Sequence, residues 1–93
     1  MAVYLDQRHQ KMLKDVLSQY PYTFYVFGSR AKGNPKPFSD IDLCFKEEIA
    51  VRDLLAIEEA LEESDLPFTV DLVDWNKCSV QFQKMIENDL VKL

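Results

Sequence analysis

Residues 28 to 43, GSRAKGNPKPFSDIDL, constrain the fold more strongly than any other segment of this 93-residue chain. The preceding run, 22–27, is rich in β-branched and aromatic residues, which predicts a buried strand that ends at Gly28. One glycine and two prolines in 33–39 predict a loop. From Asp40 onward, acidic and apolar residues alternate, which predicts a second strand with two different faces. The segment therefore indicates two strands separated by a polar connection.

The remaining sequence predicts helices that alternate with strands. Apolar positions at helical spacing predict a first helix over 5–20, which Pro21 ends, and a second over 49–64. FTVDLVDW, 68–75, predicts a third strand, and Ser79 is a plausible N-cap for a last helix over 79–88. The tail, 90–93, fits either a helix end or a brief edge strand. The order α-β-β-α-β-α predicts a single α/β (α+β) domain, 1–93, with helices flanking a small mixed sheet.

The formal net charge of −5 limits the ligands that the chain can bind. Nucleic-acid binding depends on lysine and arginine, so we expect no strong affinity for DNA or RNA. A nucleotide can still bind if metal ions neutralise its phosphates. No apolar run approaches a membrane span, and the beginning of the chain lacks the apolar core of a signal peptide. We therefore expect a cytoplasmic protein with no membrane association, whose Cys44 and Cys78 are reduced thiols.

The first candidate binding element is GSRAKG, 28–33, directly after the first predicted strand. A Gly-Ser turn that leads into a helical turn points backbone N–H groups outward, which suits phosphate oxygens. Gly28 allows close approach of the backbone, the Ser29 hydroxyl can donate a hydrogen bond, and Arg30 adds positive charge. Many tight turns contain Gly-Ser, so a turn without a ligand is the alternative.

Three aspartates form the second candidate element. Residues two apart on a strand share a face, so Asp40 and Asp42 present two carboxylates about 6–7 Å apart at Cα. The third, Asp71, lies between apolar neighbours in a strand that we expect to be central, where a carboxylate is costly unless it is paired. Carboxylate oxygens suit Mg²⁺, and two or three of them suit a two-metal site. The alternative is an edge strand whose acidic residues face water.

Gly28-Ser29, ten intervening residues and then Asp40-Ile41-Asp42 resemble the signature of the polymerase-β-type nucleotidyltransferase superfamily. Within it, nearly the whole chain is similar to the minimal nucleotidyltransferases, the MNT antitoxins, whose partners are HEPN-domain ribonuclease toxins. The resemblance implies a palm-like core in which Gly28 and Ser29 bind the nucleotide phosphates, and we expect Arg30, the next residue, to contribute to the same site through its charge. It also implies that Asp40, Asp42 and Asp71 are the metal ligands and catalytic carboxylates, with two Mg²⁺ ions and ATP as substrate.

The resemblance further implies an antitoxin of a type VII-like system that transfers AMP from ATP to a tyrosine hydroxyl of a HEPN toxin. Two alternatives remain open at this point. The chain could neutralise a toxin by binding alone, or it could modify a small molecule or an RNA end held by a separate acceptor subunit. The sequence also leaves both a homo-oligomer and a hetero-oligomer open. One acidic run is predicted to be a solvated helix face, with a basic toxin surface as the alternative contact: Glu58, Glu59, Glu62, Glu63 and Asp65.

Overall fold

The computed structural model describes residues 5–28 and 40–93, in which helices pack on both faces of a four-stranded mixed sheet. This architecture confirms the predicted fold class. The helices are α1 (Gln7–Leu17), α2 (Val51–Glu63) and α3 (Val80–Ile86), and a 3-10 helix spans Trp75–Lys77. The strands are β1 (Tyr25–Phe27), β2 (Ile41–Phe45), β3 (Val70–Asp74) and β4 (Val91–Lys92). None of the helices in these two ranges is long and apolar enough to cross a membrane.

The strands lie in the order β3-β2-β1-β4. β1 is antiparallel to both β2 and β4, whereas β2 and β3 are parallel and are connected through α2. The tail therefore forms an edge strand, which was one of its two predicted conformations. The expectation that the third strand is central was wrong, because β3 lies at one edge of the sheet. Consequently Asp71 is exposed to solvent, and its carboxylate does not need a metal ion or a basic side chain to offset burial.

The two faces of the sheet bury different apolar clusters. The larger cluster lies between the sheet and the helices α1 and α2, and includes the fully buried Leu13, Leu43 and Ile57. The smaller cluster lies on the opposite face, where α3 contributes Ile86 against Phe27 and Cys44. Burial of each large aliphatic side chain contributes roughly 1.5–3 kcal/mol, so the larger cluster dominates the stability of the fold.

Only part of the apolar stripe predicted for the second helix enters the core. Ile57 and Leu61 are buried, and Leu54 packs partly against them. Val51 and Leu55, which belong to the same predicted stripe, are 72% and 60% exposed. Periodicity identified the helix correctly, but the inward direction of its face is set by contact with the sheet.

Candidate active site

Gly28 follows β1 and lies against the Asp42 carboxylate of the neighbouring strand. A β-carbon placed on Gly28 would be 2.8 Å from Asp42 Oδ2, which is closer than real β-carbons approach a neighbouring atom. The backbone of Gly28 also has φ of +78°, a conformation that L-residues with side chains rarely adopt. Both the space and the backbone conformation at this position therefore require glycine.

Asp42 and Asp71 are direct cross-strand partners in the parallel pair β2–β3. The antiparallel pair on the other side of β2 places Phe27, and hence the end of β1 that leads to Gly28, beside the same Asp42. Asp40 is exposed and immediately precedes β2. One corner of the sheet thus brings together the predicted glycine and the predicted carboxylates. The two ends of this set, Gly28 and Asp71, are 43 residues apart along the chain.

Asp42 is the carboxylate whose ionisation is most affected by this arrangement. Burial raises the pKa of Asp42 above its ordinary value, and the negative charges of Asp71 and then Asp40 raise it further. Each cause disfavours the ionised form. A cation at this corner would lower the pKa of Asp42 again, because it supplies positive charge where solvent is partly excluded.

The burial of Asp42 has a source that the sequence analysis did not identify. Asp42 shares a face of β2 with the fully buried Cys44, and this face carries the smaller apolar cluster. Within that cluster, the rings of Phe27 and Phe82 meet edge to face at 6.0 Å. The carboxylate therefore lies at the border of an apolar layer. The alternation of Asp42 and Cys44 was the available signal, but it did not reveal that α3 covers this face.

The donor set at this corner suits a hard divalent cation, although it is not a complete preformed cage. Asp42 and Asp71 offer oxygen ligands from adjacent strands. Asp40 is close enough for its negative charge to raise the pKa of Asp42. Within 5–28 and 40–93, no group of three or more His, Cys, Asp or Glu side chains is arranged to hold a metal ion. Phosphate oxygens and water commonly complete Mg²⁺ coordination, so two protein carboxylates are compatible with a nucleotide-bound metal.

Two of the predicted phosphate-binding residues, Ser29 and Arg30, lie outside the described residues, so their roles stay predictions. The same holds for the assignment of Asp40, Asp42 and Asp71 as three ligands of one metal centre. The described residues place Gly28, Asp42 and Asp71 together at one end of neighbouring strands.

Comparison with known proteins identifies the family. The model of the polymerase beta nucleotidyltransferase family matches residues 11–93. The chain belongs to this family. It is a nucleotidyltransferase.

This nucleotidyltransferase is 44% identical over 89 residues to a Haemophilus influenzae protein named probable protein adenylyltransferase MntA. That match covers 88% of this chain and 77% of the relative. A solved structure described as a toxin-antitoxin with AMP-PNP superposes with a TM-score of 0.64 at 22% identity. The superposition covers 95% of this chain and 72% of the chain in the solved structure. At 22% identity, this similarity shows a shared fold.

Proposed function

We propose that this nucleotidyltransferase transfers AMP from Mg²⁺-bound ATP to a tyrosine hydroxyl of a HEPN ribonuclease toxin, and so acts as an antitoxin. The observation that carries the proposal is the pairing of Asp42 with Asp71 beside Gly28. Its support from relatives is the name of the Haemophilus influenzae protein and the toxin-antitoxin description of the similar structure. Cytoplasmic location follows from the same proposal, because ATP and toxin would meet there.

The proposed transfer exchanges a phosphoanhydride bond of ATP for a phosphoester bond to the acceptor. The acceptor oxygen attacks the α-phosphorus and forms a new O–P bond, while the bond from that phosphorus to the bridging oxygen breaks and pyrophosphate leaves. Asp71, being exposed, can accept the acceptor's proton, whereas Asp42 is half-buried beside Gly28. When bound, Mg²⁺ would neutralise phosphate charge and lower the pKa of the attacking hydroxyl. Gly28 leaves room for the Asp42 carboxylate beside the phosphate-binding turn that is predicted to follow.

Intact-mass spectrometry tests the proposal directly. A HEPN-domain toxin, the candidate acceptor, is incubated with the chain, ATP and Mg²⁺. We expect it to gain the mass of one or more adenylate units, and we expect no gain with Asp42→Asn. Asp15→Asn is the matched control, because it removes the same charge from an exposed position on α1.

The outcomes separate transfer from simple binding. A gain with wild type and Asp15→Asn, but none with Asp42→Asn, supports the enzyme and the role of Asp42 together. Equal gain with Asp42→Asn contradicts the site assignment. No gain from wild type, with a stable complex and inhibited toxin, would replace transfer with the binding-only antitoxin, since the carboxylates would then be unnecessary.

A further inference from the structure

The outer edge of β3 presents backbone groups that β2 does not use. The Ile41 N–H donates to the Thr69 carbonyl at 3.0 Å. With the register of the parallel pair, this bond shows which residues of β3 direct their backbone groups toward β2 and which direct them away. In this register the N–H and C=O groups of Val70 and Leu72 point away from β2. Among the described strands, none pairs with this edge. Such an edge is a template for an added strand.

A groove runs beside this edge, between β3 and the C-terminal half of α2. Its volume is about 470 Å³, and its charged lining consists of Glu58, Glu62 and Asp71. Apolar side chains such as Leu66 and Val70 form much of the remainder, and within residues 5–28 and 40–93 no lysine or arginine contributes to its lining. The described lining of the groove is therefore apolar apart from Thr69 and the negatively charged Glu58, Glu62 and Asp71. Asp71 belongs to both the groove and the candidate active site.

The exposed face of α2 continues this surface toward the other end of β3. Val51, Leu55, Glu58 and Glu62 follow at intervals of four, three and four residues, so they form one stripe along the helix. The stripe is apolar at its beginning, where Val51 also borders a second groove of about 350 Å³ against β3. It is acidic at its end. The edge of β3 and this stripe together define what we call the β3–α2 surface.

We infer that the β3–α2 surface is the docking site of the acceptor protein, and that its occupant is an extended basic segment that carries the acceptor hydroxyl. This inference rests on the proposed function and adds the location and chemistry of the contact. An extended segment can pair with the free groups of Val70 and Leu72, and its lysine or arginine side chains complement Glu58 and Glu62. A hydroxyl on that segment lies beside Asp71, because Asp71 lines the same groove.

Charge argues against the other candidate occupants. Phosphates of a nucleic acid would meet three carboxylates in this groove, and the part of the chain that the structure describes offers no basic side chain there to compensate them. A second copy of the chain offers the same three carboxylates, and its net charge is also −5. A basic protein segment supplies the missing opposite charge, and complementary charge favours both encounter and register.

The kinetic test uses two variants with the same change in charge. Glu58→Lys/Glu62→Lys reverses the groove, whereas Glu59→Lys/Glu63→Lys reverses two exposed glutamates of the same helix that do not line it. In AMP transfer to the candidate toxin, we expect the first pair to raise KM for the toxin about tenfold. We expect the control pair to change it less than about twofold, and KM for ATP to remain unchanged in both. Equal effects of the two pairs, or no effect of the first, would overturn the inference.

A binding measurement keeps docking separate from transfer. Hydrogen exchange is followed on the Asp42→Asn chain with and without the toxin, so that no turnover occurs. We expect slower exchange at the Val70 and Leu72 amides in the complex. Binding without this protection overturns the docking site even where wild type transfers AMP, whereas protection without transfer by wild type leaves docking intact and overturns the proposed function. Concentration-dependent protection of the free chain would assign the edge to a second copy.

Discussion

Gly28 and Asp42 are in such close approach that a single methyl group on Gly28 would lie 2.8 Å from a carboxylate oxygen of Asp42. Gly28 directly follows β1, and Asp42 lies in the neighbouring antiparallel strand β2, where it is the register partner of Phe27. The same glycine precedes the predicted phosphate-binding turn. A change at Gly28 should therefore affect the carboxylate and the turn together.

Gly28→Ala is expected to lower the free energy of unfolding by about 1–3 kcal/mol and to reduce AMP transfer at least tenfold. The positive φ costs about 1 kcal/mol for a residue with a side chain, and the displaced carboxylate adds the remainder. Denaturant titration and initial rates of transfer measure the two effects. A double-mutant cycle with Asp42→Ala is the control, because removal of the carboxylate should leave only the backbone cost. An undiminished cost in that background would refute the contact.

Asp42→Asn is expected to stabilise the metal-free chain while it abolishes transfer. Burial, Asp71 and Asp40 raise the pKa of Asp42 in the folded state, so folding favours its protonated form. The free energy of unfolding contributed by Asp42 is therefore greatest below its ordinary pKa, and it falls as the pH rises through the raised folded pKa. At neutral pH, after allowance for solvent screening, Asn should gain less than about 1 kcal/mol.

Denaturant titrations of wild type and Asp42→Asn across acidic and neutral pH, in the presence of a chelator, measure this difference. The two curves should converge at acidic pH, where Asp42 is protonated in the wild type. Asp15→Asn, at an exposed position, should show no comparable gain. A variant that is less stable than wild type at neutral pH would mean that the Asp42 charge is already compensated.

Mg²⁺ with a non-hydrolysable ATP analogue is expected to raise the Tm of the wild-type chain by several degrees. A ligand that binds only the folded state stabilises it by RT ln(1 + L/Kd), where L is the free ligand concentration. A cation here also relieves the repulsion that Asp71 and Asp40 exert on Asp42. Thermal melts with and without each component measure the shift. The shift should be lost in Asp42→Asn and retained in Asp15→Asn; an equal shift in both variants would place the metal elsewhere.

Tyr22 is expected to ionise at a higher pH than an ordinary tyrosine and to support the fold only while it is protonated. Its hydroxyl donates to Asp53 Oδ2 at 2.7 Å, which ties the segment before β1 to the first turn of α2. This hydrogen bond is the main cause of the raised pKa of Tyr22. The stabilisation is present below the ordinary tyrosine pKa and is lost as the pH rises through the raised folded value.

Tyr22→Phe should lower the Tm at neutral pH, and the difference from wild type should shrink at strongly alkaline pH. Ultraviolet titration of the tyrosinate band measures the ionisation itself. Asp53→Asn serves as the control, since the loss of the carboxylate should return the Tyr22 pKa toward its ordinary value. An unchanged titration in that variant would show that the hydrogen bond does not control the ionisation.

The prediction of the sheet was most accurate where side-chain alternation was strongest. Asp42 and Leu43 point to opposite faces as expected, and the helix around Ile57 and Leu61 was recognised from its period. The strand around Asp71 was also recognised, but its place in the sheet was wrong. Apolar neighbours on a strand indicate packing on its faces, and they do not indicate whether another strand pairs with its edge.

Strand alternation, helix period and the spacing of Gly28, Asp40 and Asp42 can be read along the chain, so the local elements and the types of side chain at the site were predictable without the fold. The pairing of Asp42 with Asp71, the apolar cluster that α3 forms on the Cys44 face of the sheet, and the exposure of Val51 and Leu55 became known only from the fold. These features depend on strand order and on which helix covers which face. Strand order and helix placement are set by contacts between segments that are distant in sequence, so a local sequence pattern cannot predict them.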